Sequence, residues 1–459
     1  MPRLLAALAE IVGPDNLLTG EAVRQRSVDW FTSAPCEAAA IVRPRDTEQL
    51  RQVMVLCHEA RQPVVTHGGL TGVVHGAVAA PDELVISLER MSAIEAVDPV
   101  GGTLTVQAGV PLQMVQEAAA EIGMQFPLDL GARGSCTVGG NIATNAGGIR
   151  VIRYGMMREQ VLGLEAVLAD GRVLSSMNHM LKNNAGFDLK QLFIGSEGTL
   201  GIVTRTVLRL QPALPSEQCA LVAVPSFSAL TTLLNLAAKR IGLSAFEALW
   251  NSHYRLMTEE SGAHTPPLDA DAPFYAIIES QGLDEARDAE QFQALLEQAF
   301  EESLISDAVL ASSEAQRQAI WAIREDIEVL VRDLAPMFSF DVSLPIPAME
   351  GYVAALETQL AEAFPEVGRM VTFGHLGDGN LHLMITVRDA SAESRREVER
   401  LVYAPLAEIG GSISAEHGIG LEKRDYLSLS RSETEIATMH LLKQALDPRG
   451  LLNPGKVLG

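Results

Sequence analysis

A short glycine-rich turn between two apolar segments constrains the fold of this chain more than any other feature of its sequence. The turn lies within GHLGDGNLHLM, residues 374–384, and the Gly-Asp-Gly sequence at its centre is incompatible with a stable helix. The preceding run 370–373 is largely apolar, and 381–387 contains the apolar and β-branched residues typical of a buried strand. This pattern predicts an antiparallel β-hairpin centred on Asp378 and Gly379.

The hairpin would bring two histidines together. In an antiparallel pair His375 and His382 fall nearly opposite, with Cβ atoms about 5 Å apart. A second segment, SISAEHGIG (412–420), supplies Glu416 and His417 at the end of another predicted strand. Two imidazoles and a carboxylate can form a metal site with an open position for water or substrate. The alternative from these residues alone is a pair of capped or core histidines without a metal.

The composition is that of an acidic globular protein. The chain has 459 residues, of which 47% are hydrophobic, and this is enough for two or three domains. It has 35 Lys and Arg against 58 Asp and Glu, a formal net charge of -23. Such a charge argues against binding to nucleic acid or to anionic membrane surfaces, and an anionic substrate would need a local basic residue or a metal.

The cysteines and the N-terminal segment bear on the compartment. The four cysteines are widely spaced and form no CxxC pair: Cys36, Cys57, Cys136 and Cys219. This favours a reducing compartment, and it indicates neither an iron–sulfur cluster nor a disulfide framework. Residues 1–20 contain a short apolar run broken by Glu10, which predicts an amphipathic helix, and no window approaches the roughly 18 apolar residues of a membrane span. We expect a soluble, cytoplasmic protein, with peripheral membrane association left open.

Two glycine-rich segments in the first part of the chain are candidate ligand loops. The segment VVTHGGLTGVVHGA, 64–77, begins as a strand and continues with glycines, so its backbone N–H groups can turn toward anionic oxygens. The segment PLDLGARGSCTVGGNIATNAGG, 127–148, combines glycines with small hydrogen-bonding residues. Neither matches GxxxxGK[ST] or GxGxxG, so a Walker ATP site or a Rossmann NAD site is poorly supported. For 127–148 the alternative is a tightly packed turn assembly without a ligand.

The pattern of elements changes after residue 213, where strands begin to alternate with long helices and a second domain is indicated. The elements that we predict are strands at 63–66, 84–88 and 103–108, a hairpin at 161–174, and helices at 112–122, 227–240, 286–302 and 314–331.

Taken together, these segments resemble the FAD-dependent D-2-hydroxyacid dehydrogenases, a branch of the vanillyl-alcohol oxidase type flavoproteins that includes D-lactate and D-2-hydroxyglutarate dehydrogenases. The resemblance covers nearly the whole chain. Its most specific matches, in the family's order and approximate spacing, are PLDLGARGSCTVGGNIATNAGG, DLKQLFIGSEGTLGIVT, GHLGDGNLHL, SAEHGIG and DPRGLLNPGK. It implies an α+β fold with a two-subdomain FAD-binding domain at 1–213, an α+β substrate and metal-binding (cap) domain with an antiparallel sheet at 214–425, and a C-terminal segment at 426–459 that returns to the FAD domain.

The resemblance also implies roles for individual residues. The metal ligands fall on His375, His382 and Glu416, the catalytic base on His417, and the substrate-carboxylate arginine on Arg324. Zinc is the expected ion, with manganese or iron as alternatives. Non-covalent FAD would contact the two glycine-rich segments, a third segment and the C-terminus through Gly68, Gly69, Leu70, Thr71, Gly72, Pro127, Gly134, Ser135, Gly139, Gly140, Asn141, Thr144, Asn145, Gly148, Glu197, Gly198, Ile202 and Asn453.

Departures from the family concern the distal part of the substrate pocket. The D-2-hydroxyglutarate branch typically has Thr, Lys and Asn at the substrate-binding positions that are Glu328, Ser339 and Met384 here. Since a serine cannot replace the charge of a lysine, we expect D-lactate-like monoacids, with D-2-hydroxyglutarate as the alternative. The first glycine-rich segment has Leu70 where relatives commonly carry Asn, and His75 where many have Gly.

The implied reaction oxidises a D-2-hydroxy acid to the 2-oxo acid. His417 takes the hydroxyl proton, the C2 hydride passes to flavin N5, and a divalent ion acts as Lewis acid. Electrons would then pass to an external acceptor such as a quinone or an electron-transfer flavoprotein, and a homodimer is one open assembly state. The alternatives are a sugar-acid or alcohol oxidase with FAD linked covalently through His67 or His75, and a non-catalytic flavin-binding subunit of a glycolate oxidase-like complex.

Overall fold

A computed structural model describes residues 1–29, 34–365 and 368–459. The chain divides into two compact units: the first comprises 1–148, 154–213 and 416–459, and the second comprises 149–153 and 214–415. Each unit contains its own buried apolar core. Within the part of the chain that the structure describes, no helix is both long and apolar enough to cross a membrane.

Residues 1–213 form short helices and strands around glycine-rich connections. The helices are α1 (Pro2–Val12), α2 (Glu21–Arg24), α3 (Thr47–Ala60), α4 (Leu112–Ala120), α5 (Val138–Thr144), α6 (Val151–Tyr154) and α7 (Met157–Gln160). The strands are β1 (Leu17–Thr19), β2 (Ala40–Val42), β3 (Val64–His67), β4 (Leu84–Ser87), β5 (Ile94–Asp98), β6 (Thr103–Gln107), β7 (Met124–Gln125), β8 (Val161–Val167), β9 (Val173–Ser176), β10 (Ile202–Arg209) and β11 (Gln211–Pro212).

The described strands of the first unit form two main sheets. One has the order β1-β2-β4-β3, with β2, β4 and β3 parallel, and the other is an antiparallel sheet with the order β5-β6-β10-β8-β9. β4 is buried along its whole length, as expected for an apolar strand inside a parallel sheet. α3 begins after Asp46, whose side chain accepts a hydrogen bond from the N–H of Gln49 at 2.8 Å and caps the helix.

The second unit is built on one large sheet. Its helices are α8 (Phe227–Arg240), α9 (Asn251–Arg255), α10 (Glu285–Glu301), α11 (Glu314–Glu325), α12 (Ile327–Leu334), α13 (Met349–Ala363) and α14 (Ala392–Ile409). Its strands are β12 (Ser216–Val224), β13 (Leu243–Trp250), β14 (Phe274–Gly282), β15 (Asp307–Leu310), β16 (Met337–Ser343), β17 (Arg369–His375) and β18 (Asn380–Thr386). All described neighbours in the order β15-β12-β14-β13-β17-β18-β16 are antiparallel. The last helix of the chain, α15 (Glu433–Leu446), belongs to the first unit.

The predicted single helix 314–331 is wrong, because the chain breaks between α11 and α12. Asp326 leaves the helical conformation with φ -75° and ψ 79°, and its carboxylate accepts a hydrogen bond from the N–H of Val329 at 3.3 Å. Asp326 is therefore the N-cap of α12. The predicted helix 227–240 is confirmed as α8, and the predicted hairpin at 161–174 is confirmed as the pair β8 and β9.

The hairpin predicted at 374–384 is confirmed, but its register differs from the prediction. β17 and β18 pair so that His382 lies opposite Phe373 and not opposite His375. A short 3₁₀ turn and Gly379, with φ 88°, close the hairpin, and its centre lies between Gly377 and Asp378, one residue before the predicted centre. Because residues two apart on a strand share a face, the two histidines are diagonal neighbours on one face of the sheet.

The strand predicted before Glu416 is also wrong. Only Ser412 makes a bridge, to Ser343 at the end of β16, and residues 413–417 form an irregular bend.

Candidate active site

The glycine-rich segments of the first unit surround a cavity of about 390 Å³, a size within the usual range of ligand pockets. Glu416 and His417 also line this cavity. The predicted cofactor residues that line it are Gly68, Gly69, Leu70, Thr71, Gly72, Gly139, Gly140, Asn141, Thr144, Glu197, Gly198, Ile202 and Asn453. Segments far apart in the sequence therefore meet around one site.

Five predicted cofactor residues do not line the cavity: Pro127, Gly134, Ser135, Asn145 and Gly148. Two of them have structural roles in this region. A Cβ atom at Gly148 would lie 2.0 Å from the carbonyl oxygen of Asp129, so only glycine fits there. Asn145 has φ 50°, and its side-chain oxygen accepts a hydrogen bond from the N–H of Arg158 at 2.9 Å.

The walls of the cavity fit a ligand rich in polar groups. The buried hydroxyl oxygens of Thr66 and Thr137 have no hydrogen-bond partner among the residues that the structure describes. A Cβ atom at Gly72 would meet nothing within 4 Å, so packing within the protein does not require glycine at this position. The phosphates, ribityl hydroxyls and ring edges of FAD would provide partners for the hydroxyls and use the close approach at Gly72. Neither threonine is among the predicted cofactor residues, although Thr137 is one of the hydrogen-bonding residues of the second glycine-rich segment.

Glu197 holds the loop that follows His417. Its carboxylate accepts hydrogen bonds from the N–H groups of Ile419 at 2.7 Å and Gly420 at 2.8 Å. Burial raises the pKa of Glu197 above its ordinary value, although the two N–H donors act in the opposite direction. This predicted FAD-contacting side chain thus binds the backbone of the loop.

Asn453 ties the C-terminal segment to the same wall of the cavity. Its side-chain oxygen accepts from the N–H of Thr66 at 2.9 Å, and its side-chain nitrogen donates to the carbonyl oxygen of Glu197 at 2.6 Å. This predicted FAD-contacting side chain therefore joins two cavity-lining segments.

The two candidate flavin-linking histidines differ in environment. His67 is buried, does not line the cavity, and lies with Nε2 2.7 Å from the carbonyl oxygen of Ala77. Burial lowers the pKa of His67 to about 4, so its imidazole is neutral at ordinary pH. His75 is exposed and lines the cavity. Leu70 has φ 58°, a conformation that Asn adopts more readily than Leu.

We expect FAD to be released when the purified protein is precipitated with acid, because His67 does not line the cavity and Leu70 follows the paired glycines. Absorbance of the supernatant at flavin wavelengths measures this release. Flavin that stays in the pellet would contradict the prediction, and its release from His75→Ala would then identify His75 as the point of attachment.

The second unit places His375 and His382 side by side. Their ring centroids are 5.4 Å apart, and the two residues are only 6% and 9% exposed. Phe373 packs against His382 with a centroid distance of 5.1 Å. Neighbouring buried imidazoles of this kind have the donor chemistry of a zinc, iron or manganese site.

Glu247, which sequence reasoning missed, lies directly opposite His375 across β13 and β17. Its Oε1 lies 2.7 Å from Nδ1 of His375. Burial acts to raise the pKa of Glu247, but interactions with His375 and Arg324 outweigh burial and leave this pKa below its ordinary value. The signal in the sequence is the lone acid in the otherwise uncharged strand LSAFEALW, because such an acid needs charged partners once it is buried.

The hydrogen bonds of His375 define its tautomer. A carboxylate only accepts, so Nδ1 carries the proton and donates to Glu247. Nε2 lies 3.3 Å from Nη2 of Arg324, which only donates, so Nε2 presents a lone pair. A neutral histidine with its lone pair on Nε2 is in the form that binds a metal, and a divalent cation bound there would replace the hydrogen bond from Arg324. The tautomer of His375 therefore fits a divalent cation.

Arg324, at the C-terminal end of α11, is buried beside this histidine. Its Nε donates to Oε2 of Glu247 at 2.9 Å, and its guanidinium carbon lies 4.5 Å from the centroid of the Phe373 ring. Glu247 and His375 use two of the five N–H donors of the guanidinium. The remaining planar donors suit a carboxylate.

The segment that precedes Glu416 is attached to β16. The N–H of Ala415 and the hydroxyl of Ser414 donate to Oδ2 of Asp341 at 3.1 and 3.3 Å. Asp341 lies opposite His382 in the sheet. Glu416 follows Ala415 by one peptide bond.

The three departures from the family have different environments. Met384 is 4% exposed and packs in the apolar core that also contains Val371 and Phe373. Ser339 is the cross-strand partner of Met384 and is exposed, and Glu328 is exposed on the first turn of α12. Glu328 therefore points to solvent in this unit.

This architecture is the FAD-binding fold of the vanillyl-alcohol oxidase type. The solved structure of p-cresol methylhydroxylase with substrate bound superposes with a TM-score of 0.77 at 15% identity, covering 99% of this chain and 96% of that one. At this identity the likeness concerns the fold.

Sequence comparisons define the family more narrowly. Residues 38–176 match the family described as FAD binding domain, and residues 214–457 match the C-terminal domain of FAD linked oxidases. The D-2-hydroxyglutarate dehydrogenase of Xanthomonas citri pv. viticola is 42% identical over 468 residues, covering 99% of this chain and 97% of the relative. The mitochondrial D-2-hydroxyglutarate dehydrogenase of Bos taurus is 39% identical over 458 residues, covering 99% and 83%. The chain belongs to the FAD-dependent D-2-hydroxyacid dehydrogenase family.

Proposed function

We propose that this chain binds FAD non-covalently, binds a divalent cation, and oxidises D-2-hydroxy monoacids such as D-lactate to 2-oxo acids. The observation that carries the proposal is that His417 lines the same cavity as the two glycine-rich segments. A base at the cavity that holds the electron acceptor is what oxidation of an alcohol requires. A purely structural flavin-binding subunit has no need of such a base.

We assign separate tasks to the residues of the chain. Arg324 binds the substrate carboxylate through its planar N–H donors. His417 removes the hydroxyl proton, since an imidazole is a suitable general base at neutral pH. When bound, FAD supplies the two-electron acceptor and the cation supplies Lewis acidity.

We propose His375, His382 and Glu416 as the metal ligands, with zinc as the first candidate and manganese or iron as alternatives. Two observations support this set. The hydrogen bonds of His375 select the tautomer that a metal requires. The residue before Glu416 donates to Asp341, which lies opposite His382, so the chain reaches Glu416 from this part of the sheet.

The charges of the second unit favour a monoacid over a diacid. Among the residues of this unit that the structure describes, Arg324 is the only buried arginine or lysine. A second substrate carboxylate would need another cation, and the family's lysine position is Ser339 here. Met384 packs in the apolar core where the relatives' pattern has an amide, so this position offers no hydrogen-bonding group.

D-2-hydroxyglutarate is the second candidate substrate, because both relatives described above are named for it and match nearly the whole chain. In that case a cation other than the family's lysine would bind the distal carboxylate.

The deciding experiment is kcat/KM for D-lactate, D-2-hydroxybutyrate and D-2-hydroxyglutarate with an artificial electron acceptor. We expect the two monoacids to exceed D-2-hydroxyglutarate by about tenfold or more, because an unpaired second carboxylate is costly to desolvate. A ratio of the same size in favour of D-2-hydroxyglutarate would show that the chain oxidises the diacid.

A matched variant tests the physical reason. Ser339→Lys combined with Met384→Asn restores the family's charged and amide side chains, so kcat/KM for D-2-hydroxyglutarate relative to D-lactate should rise about tenfold or more. Ser339→Ala with Met384→Leu controls for disturbance of β16 and β18 and should leave the ratio unchanged. An unchanged ratio in the double variant Ser339→Lys with Met384→Asn would show that these two positions do not determine the choice of substrate.

We further propose that electrons leave through an external acceptor, such as a quinone or an electron-transfer flavoprotein. The four cysteines are buried, and none is joined to another in a disulfide, so no cysteine cluster offers an internal relay for electrons.

A homodimer is a proposed assembly state that sedimentation would test.

A further inference from the structure

One carboxylate in the second unit contacts two groups that the proposed function uses for different purposes. Glu247 lies opposite His375, with its Oε1 2.7 Å from Nδ1 of that histidine, and its Oε2 accepts from Nε of Arg324 at 2.9 Å. We infer that Glu247 is a positioning residue that orients a metal ligand and the substrate-binding arginine together. This inference rests on the metal and substrate roles proposed above.

Because Glu247 is buried, its carboxylate needs charged or hydrogen-bonding partners. The residue is 0% exposed and lies on β13, where every residue is buried. A carboxylate removed from water is costly unless charged partners or hydrogen bonds satisfy it, and Arg324 and His375 do so. Phe373 lies against the guanidinium on another side, so Arg324 is held by an ion pair and by an aromatic ring. Without Glu247, Arg324 would lose the ion pair that helps to fix the orientation of its guanidinium.

Glu247 also fixes the protonation of His375. Because the carboxylate holds the proton on Nδ1, the lone pair stays on Nε2. Hydrogen-bond acceptors behind a histidine ligand set its tautomer and ring orientation, and their loss typically lowers metal affinity by about 10–100-fold. The spacing of residues in the sequence does not reveal this partner, since Glu247 and His375 are 128 positions apart.

Glutamine at position 247 would satisfy only one partner. The side chain of glutamine has one acceptor oxygen and one donor group, whereas Arg324 and His375 both offer N–H donors to Glu247. If the amide nitrogen faces His375, the imidazole must move its proton to Nε2 and lose the lone pair for the metal. If the amide nitrogen faces Arg324, two donors oppose each other and the guanidinium must turn.

The test compares zinc affinity of purified wild-type protein, Glu247→Gln and Glu279→Gln by competition with a chromogenic chelator. Glu279 is a matched control, because it is also 0% exposed in the same unit, lies on the neighbouring strand β14, and is bonded to Arg150, Ser244 and Trp321. We expect Glu247→Gln to bind zinc about 10–100-fold more weakly than wild type. Glu279→Gln should retain wild-type affinity even if its melting temperature falls.

Steady-state kinetics provide a second readout that general destabilisation would not produce. At saturating zinc, Glu247→Gln should recover most of its kcat while its KM for the hydroxy acid stays raised, because added metal cannot restore the orientation of Arg324. If Glu247→Gln fails to fold, Glu247→Asp replaces it. Aspartate keeps both acceptor oxygens but is one methylene shorter, so we expect a smaller loss of affinity in the same direction.

Equal zinc affinity in wild type and Glu247→Gln, or equal losses in Glu247→Gln and Glu279→Gln, would overturn the positioning role while leaving the proposed metal site intact. A wild-type protein that binds no divalent cation would instead refute the metal site itself, and with it the role of Glu247 toward a metal.

Discussion

Replacement of His417 by alanine is expected to slow reduction of the bound flavin by about 10²–10⁴-fold, with a much smaller effect on substrate binding. The side chain lines the proposed flavin cavity, and the family assigns the catalytic base to its position. A base acts on the proton that moves in the transition state, so its loss affects the chemical step more than the ground-state complex. Anaerobic stopped-flow mixing with D-lactate, followed through flavin absorbance, separates the reduction rate from the apparent dissociation constant.

His440→Ala is a matched control for this experiment, since it makes the same change at an exposed position on α15 of the same unit. It should reduce flavin at the wild-type rate. A His417→Ala protein that binds substrate poorly yet reduces flavin normally would show that His417 positions the substrate and is not the base. Flavin content must be equal in all proteins compared, because His417 belongs to the cavity wall.

Removal of the divalent cation is expected to abolish turnover while the visible spectrum of bound FAD persists. Two of the three proposed ligands, His375 and His382, lie in the second unit and do not line the cofactor cavity, whereas the third, Glu416, is one of many residues of the first unit that line it. Dialysis against a strong chelator, followed by activity and absorbance measurements, tests this expectation. Readdition of zinc, manganese or iron one at a time then identifies the ion that restores activity.

Variants at the ligands provide the corresponding control. His382→Asn should lower metal content and turnover with little change in flavin content, because one of the proposed ligands is lost. Full activity in a preparation shown to be free of metal would exclude a catalytic cation. Loss of flavin together with the metal would show that the ion also supports the cofactor domain.

Local sequence determined the elements whose cause is local. The Gly-Asp-Gly turn forces the β17–β18 hairpin, and α8 has the predicted bounds 227–240 because its apolar periodicity and Ser226 cap agree. The glycine-rich segments indicated a ligand site, because glycine lets the backbone approach a ligand closely. The resemblance to a known family, carried by five ordered motifs, gave the cofactor and the reaction class.

Only the tertiary structure decided the partners of buried charges. Glu247, Arg324 and His375 lie on different elements, and the contacts of Glu247 span 77 positions to the arginine and 128 to the histidine. Propensity and periodicity report on neighbours within a few residues, so they could not show which buried groups meet across the sheet. The same limit explains the hairpin register, which depended on a 3₁₀ turn, and the break in 314–331, which depended on a cap at Asp326. Buried charges need partners, and only the folded structure shows which charged residues meet.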